Sequence, residues 1–275
     1  MLAPAFMNVA QWAVVVCAAV LGSLAQGATG FGSALVALPI MLWGNLSLPA
    51  AIAVNTALIL LQGLNSCWRH RTTIPWKETN SMVVLRLVSV PFGVITLASL
   101  HAMSATSMKQ VVGLTLLAVL AFLVTFKVKP VANVSPLCTA VAGISSGFLT
   151  GAVGIGGPPL VAWTLMHDWE PSRARGFLWA TSLQMTPISM ALLVWHFGVP
   201  VLWFFVAGLA TFPIVALSNK WGMQLGAKWS RRSMRSVTYI LLALTSVLCV
   251  ASPWLQPAPK ASASFTGTPA LSGKR

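Results

Sequence analysis

The residues of this chain best suited to chemistry are glycines, hydroxyls and amides rather than acids and bases. Residues 143–165 read GISSGFLTGAVGIGGPPLVAWTL, an apolar run broken by Gly143, Gly147, Gly151, Gly154, Gly156 and Gly157 and then by Pro158 and Pro159. A helix interior resists that composition, because each glycine costs ~1 kcal/mol relative to alanine and each proline ~3 kcal/mol. The two prolines also remove amide donors and push Gly157 away from helical angles. Inside a membrane, broken backbone is tolerated only where it is buried in protein or lines a cavity. A discontinuous helix facing a site is therefore expected. Amides at a half-helix N-terminus, at the positive end of its dipole, suit an anion, and without a Cβ the anion can approach the backbone closely.

The break has a twin. Residues 23–39 read SLAQGATGFGSALVALP, and a shift of 124 places Gly27 on Gly151, Gly30 on Gly154, Gly32 on Gly156 and Ser33 on Gly157. Paired interruptions in corresponding places of two halves point to a transporter's binding site. Gly30, Gly32, Ser33, Gly154, Gly156 and Gly157 are the expected backbone part of that site, whereas Gly22 and Gly143 read as helix-packing positions. A second polar pair follows each break. Asn55 and Thr56 correspond, at a shift of 126, to Thr181 and Ser182. These neutral groups suit the oxygens of an anion, and the competing reading is interhelical hydrogen bonding or bonding back to their own helices. For Gln62 and Gln184, packing is the simpler reading.

The elements that position these residues follow from composition. The 275 residues are 57% hydrophobic and 7% charged, with a mean hydropathy of +0.82, which places the chain among polytopic membrane proteins. Residues 9–43 are apolar throughout and would span ~52 Å as one helix against a ~30 Å hydrocarbon core, so a hairpin folded at the break is expected. Spans are expected at about 50–67, 82–101 and 108–126. The second half repeats the plan with an interrupted segment at 136–166 and spans at about 176–195, 199–218 and 236–254. The tail 256–275 is expected to be disordered.

Three acids, Glu78, Asp168 and Glu170, stand against 17 Lys and Arg. The bases cluster in loops 68–81, 127–135 and 219–235, which reads as the positive-inside bias rather than as nucleic-acid binding. All three loops share the cytoplasm only if segment 136–166 returns to the side it entered, so that hairpin plus three spans per half makes the halves inverted and leaves both chain ends outside. No acid falls in an expected span, so the carboxylate relay of a proton-coupled carrier and the catalytic pairs or metal ligands of a membrane enzyme are not expected, nor is any cofactor. Cys17, Cys67, Cys138 and Cys249 show no disulfide spacing. Arg86 is placed about four residues inside the end of its span, where snorkelling to the surface explains it more simply than anion binding. His70 and His196 read as interfacial residues beside tryptophan.

The runs GATGFGS at 27–33 and GAVGIGG at 151–157, with the polar helices AVNTALILLQGLNSCWRHR at 53–71 and ATSLQMTPISMALLVWHFG at 180–198, resemble the TauE/SafE family of sulfite and organosulfonate permeases over about residues 10–254. The chain departs from the usual double glycine at Ser33 and carries Pro158-Pro159 after its second glycine run. The resemblance implies an all-α polytopic membrane protein of two inverted repeats, each a broken or re-entrant hairpin plus three transmembrane helices, over residues 1–130 and 131–255. It implies a permease of the bacterial inner membrane, not an enzyme, moving a small sulfur-containing or organic anion by alternating access. Export is favoured because an inside-negative potential drives an anion outward. An anion channel and an uptake permease for a non-sulfur anion are the alternatives. The expected partners are the small anion and the lipid bilayer, with a homodimer left open.

Overall fold

The computed structural model describes residues 7–101, 105–125, 130–131 and 133–251, so the tail 256–275 lies outside the described residues. The chain is all-helical, in the order α1 (Val9–Thr29), α2 (Ser33–Trp43), α3 (Leu48–Arg69), α4 (Trp76–His101), α5 (Ala105–Thr125), α6 (Pro136–Val153), α7 (Gly157–Leu165), α8 (Pro171–Phe197), α9 (Pro200–Ala210), α10 (Phe212–Ala227) and α11 (Arg231–Val250). Among the described residues, α1, α3, α4, α6 and α8 are each long and apolar enough to cross a membrane, and α9 and α10 together, bent by 60° at Thr211, pass the same test as a broken span or a re-entrant loop. The protein is thus a multi-pass membrane protein.

Local sequence sets the helix ends. Asn8 and Gln11 close a capping box on α1, with Asn8 Oδ1 accepting from the Gln11 amide at 2.8 Å and Gln11 Oε1 from the Asn8 amide at 3.1 Å. Ser47 and Ser135 cap α3 and α6, each followed by a proline in the first turn, where its missing N–H costs nothing. α1 and α6 end at Gly30 (φ 95°) and Gly154 (φ 72°), a left-handed conformation that a side chain resists.

Both interrupted segments are hairpins. The Val131 amide donates to the Met166 carbonyl at 2.9 Å and Trp163 Nε1 to Thr139 Oγ1 at 3.0 Å, so α7 returns to where α6 began. In the first hairpin, Gly44 at the end of α2 packs against Val14 near the start of α1. The basic segments gather at one end of the bundle: Arg173 pairs with Glu78 at 3.3 Å, and Arg175 donates to the Gly226 carbonyl at the end of α10. The tip of the first hairpin points toward this basic end, with Gly30 against Arg175 and Leu178, whereas the tip of the second points away from it, with Gly154 against Ile52 near the start of α3.

Glycine stripes allow the tightest helix contacts. Gly143, Gly147 and Gly151 of α6 recur every four residues and lie on Leu85, Arg86 and Val90 of α4; Gly222 and Gly226 of α10 lie on Leu24 and Ala28 of α1. A Cβ on Gly151 would run into the Val90 carbonyl, and one on Gly226 into the Ala28 carbonyl. Small residues at four-residue spacing bring backbones close enough for dispersion to hold helices together without a hydrophobic driving force. Gly143 and Gly22, against Ala37 and Ser33, are packing positions as expected.

Three helices run longer than the sequence expectation. α4 begins at Trp76 rather than near 82, α8 at Pro171 rather than 176, and α10 continues through Lys220 to Ala227, so much of the expected 219–235 loop is helix. Glu78 accordingly sits in the first turn of α4, half-buried and paired with Arg173.

Candidate functional site

The two breaks meet. A Cβ on Gly157, at the start of α7, would press on the ring of Phe31 at the first break, and between them lies a cavity of about 50 Å³ lined by residues from α1, α2, α3, α4, α6, α7 and α8. A buried water needs ~10–15 Å³ by this measure, so the space matches a few waters or one small oxyanion. Its wall includes Gln26, Phe31, Asn55, Thr56, Arg86, Thr150, Gly154, Gly156, Gly157, Ser182, Thr186 and Ser189.

Among the described residues, Arg86 is the one ionisable side chain in that wall. It is 3% exposed. Its Nη1 donates to the Thr181 carbonyl at 3.0 Å and its Nη2 to Thr150 Oγ1 at 2.8 Å, while its Nε, also buried, has no protein partner among the described residues. The snorkelling expectation is therefore overturned. Because α4 starts at Trp76, Arg86 stands ten residues in, ~15 Å along the helix axis, too deep for its head to reach water at the basic end. Gly147 makes room for it: a Cβ there would strike the Arg86 backbone. A lone charge in a low-dielectric wall attracts an anion far more strongly than it would in water.

The sequence-derived candidates divide cleanly. Asn55, Thr56, Gly154, Gly156, Gly157 and Ser182 line the cavity, whereas Gly30, Gly32, Ser33 and Thr181 do not. Ser33 stands behind Asn55, donating from Oγ to Asn55 Oδ1 at 2.8 Å, which orients that amide. Thr181 contributes only the carbonyl that holds Arg86. At the first break the Phe31 and Gly32 amides are taken up by Thr29 Oγ1 at 3.4 and 3.2 Å, and the Ser33 amide by Gln26 Oε1 at 3.1 Å. At the second, Pro158 and Pro159 have no amides to give. The guanidinium of Arg86 stands at this second break instead, 3.1 Å from where a Gly156 Cβ would be.

Other polar groups serve the scaffold. Gln62 donates to Ser23 Oγ at 2.9 Å and Asn219 to Ser66 Oγ at 3.0 Å, tying α1, α3 and α10 together, and Gln184 donates to Asn80 at 3.1 Å. His70 packs against Trp179 with the rings tilted and 5.0 Å apart, His196 is exposed at the end of α8, and neither lines the cavity. Thr150 and Ser189 line the cavity and Ser146 braces it, three positions the sequence reading did not single out. Ser146 Oγ donates to the Gly156 carbonyl at 2.6 Å and so pins the second break to α6. Its spacing of ten residues from Gly156 spans the break, a signal visible only once the hairpin is closed.

Among known proteins, the family described as Sulfite exporter TauE/SafE matches residues 14–251, which includes both breaks and every residue of the cavity. No curated protein and no solved structure matches the chain.

Proposed function

The chain belongs to the sulfite exporter TauE/SafE family, and on that premise we propose that it carries a small sulfur-containing anion, sulfite or a sulfonate, across the bacterial inner membrane. The observation that carries this reading is the buried Arg86 guanidinium in a cavity walled by both chain breaks. The first half contributes Phe31, Asn55 and Thr56 together with Arg86, and the second contributes Thr150, Gly154, Gly156, Gly157 and Ser182. A site shared between halves 1–130 and 131–255 is what alternating access requires, since rocking one half on the other opens the same site to each side in turn. Hairpins entering from opposite ends support an inverted relation of the halves. The basic end is cytoplasmic on this reading, and the membrane potential favours export. A cavity sized for one small anion favours a carrier over a continuous channel.

The test is ligand-induced stabilisation of the purified protein. A ligand that binds only the folded state raises stability by ~2.7 kcal/mol at 100 times its dissociation constant. Sulfite and sulfonates are expected to give a concentration-dependent rise that matching carboxylates do not, and that Arg86→Gln abolishes. A rise with carboxylates alone overturns the sulfur specificity, and an unchanged rise in Arg86→Gln overturns the site.

A further inference from the structure

We propose that the site selects a singly charged oxyanion that still carries a proton donor, so that sulfite crosses as hydrogensulfite. This deepens the reading above and rests on it.

Charge comes first. Arg86 is the single ionisable group in the cavity wall among the described residues. Against Arg86, α6 presents Ser146, Gly147 and Thr150, and α8 presents Thr181; Ser182 and Met185 of α8 and Asn55 and Thr56 of α3 complete the neighbouring wall. None of these titrates. The titratable groups on the same helices stand toward the helix ends and outside the cavity: Lys77 and Glu78 on α4, Cys67 and Arg69 on α3, Cys138 on α6, and Arg173, Arg175 and His196 on α8. One anionic charge neutralises Arg86; a second would be buried without a counter-charge, which a low-dielectric site penalises.

Hydrogen-bond polarity then narrows the choice. A hydroxyl has one proton, and three threonines of the wall spend theirs on their own helices. Thr56 Oγ1 donates to the Ile52 carbonyl at 2.7 Å, Thr150 Oγ1 to Ser146 at 2.7 Å and Thr186 Oγ1 to Ser182 at 3.2 Å. Toward the cavity these oxygens offer lone pairs. The wall also carries donors: the Arg86 guanidinium, the amide nitrogens of Asn55 and Gln26, whose oxygens are held by the Ser33 hydroxyl and amide, and the hydroxyls of Ser182 and Ser189, the last without a partner among the described residues. A fully ionised sulfite or sulfate would set oxygens against the threonine lone pairs. Hydrogensulfite places its charged oxygens on the donors and its one proton on an acceptor. After release into a more basic compartment it gives that proton to water and becomes sulfite, with no bond to sulfur changed. The proton thus crosses on the substrate, and no carboxylate in the protein is needed.

The experiment is uptake of radiolabelled sulfite by the full chain in liposomes, at equal pH on both sides and fixed total sulfite, stepped across the second ionisation of sulfurous acid. Methanesulfonate, always singly charged, and sulfate, always doubly charged, are the competitors. Above that ionisation, uptake below saturation is expected to fall about tenfold per pH unit with the fraction of hydrogensulfite. Methanesulfonate is expected to keep its inhibition constant over the same range, sulfate to compete poorly throughout, and hydroxymethanesulfonate, which adds a donor, to compete better than methanesulfonate. Uptake that is flat or rises with pH, or sulfate competing as well as methanesulfonate, overturns the charge rule. Equal competition by the two sulfonates overturns the donor rule. If no anion is taken up and none stabilises the purified protein, the permease reading itself fails and takes this proposal with it.

Discussion

Replacing Arg86 with methionine should make the protein more stable and unable to bind its anion. The guanidinium is 3% exposed and faces no acid. Its two hydrogen bonds go to a helix carbonyl and to a hydroxyl, neither of which needs them: Thr150 still donates to the Ser146 carbonyl, so methionine leaves no orphaned donor behind. Exchanging buried charges for apolar side chains of similar volume is neutral or stabilising by ~1–4 kcal/mol, and that is the range expected here, measured by unfolding the purified protein in denaturing detergent. The loss in binding runs the other way. Truncating one member of a buried charge pair costs ~2–5 kcal/mol, about 30-fold to several-thousand-fold in dissociation constant, read from the shift in the anion titration. Arg86→Lys should recover part of the binding, because it restores the charge without the planar fork. A methionine variant that is less stable and binds the anion unchanged would show that Arg86 ties α4, α6 and α8 together and has no part in recognition.

Gly156→Val should abolish anion binding while the protein still inserts, because a Cβ there collides with Thr150 Oγ1 and the Ser146 carbonyl and reaches Arg86 Nη2 at 3.1 Å; unchanged affinity in the titration would remove the second break from the site. Gly151→Leu should destabilise the fold by at least the ~1–3 kcal/mol typical of overpacking, since its side chain would drive into the Val90 carbonyl and Gly93 of α4, and detergent unfolding measures it. Cysteines placed at Asp168 and at Lys228, both at the basic end, should escape a membrane-impermeant thiol reagent in intact cells and react after permeabilisation. Labelling of either in intact cells refutes a cytoplasmic basic end.

Much of the architecture is legible in the chain alone. Two over-long apolar segments with glycine breaks must fold back, because neither a ~52 Å straight helix nor a bare backbone is stable in a bilayer, and both prove to be hairpins. The basic loops are expected to share an end, and the start of α8 ties two of them together there, through Arg173 to Glu78 and Arg175 to Gly226. Asn55, Thr56 and Ser182 were recognisable as wall residues because polar side chains in such apolar helices need a reason to be there. The charge was not recognisable. Thr79, Asn80 and Ser81 disguise the first turns of α4 as loop, which set Arg86 four residues deep instead of ten and made the surface its simplest destination. Hydropathy weighs composition, and it cannot see that Gly147, some sixty residues away, lets α6 pack on the Arg86 backbone, or that Thr150 then meets the guanidinium. The amides of the first break were equally open to misreading, since only the folded hairpin shows Thr29 and Gln26 reaching across to satisfy them. Sequence by itself determined which segments break, which ends are basic and which side chains are polar at depth. Tertiary structure decided which of those groups spend their hydrogen bonds on the scaffold and which are left to face a ligand, because that depends on neighbours far apart in the chain.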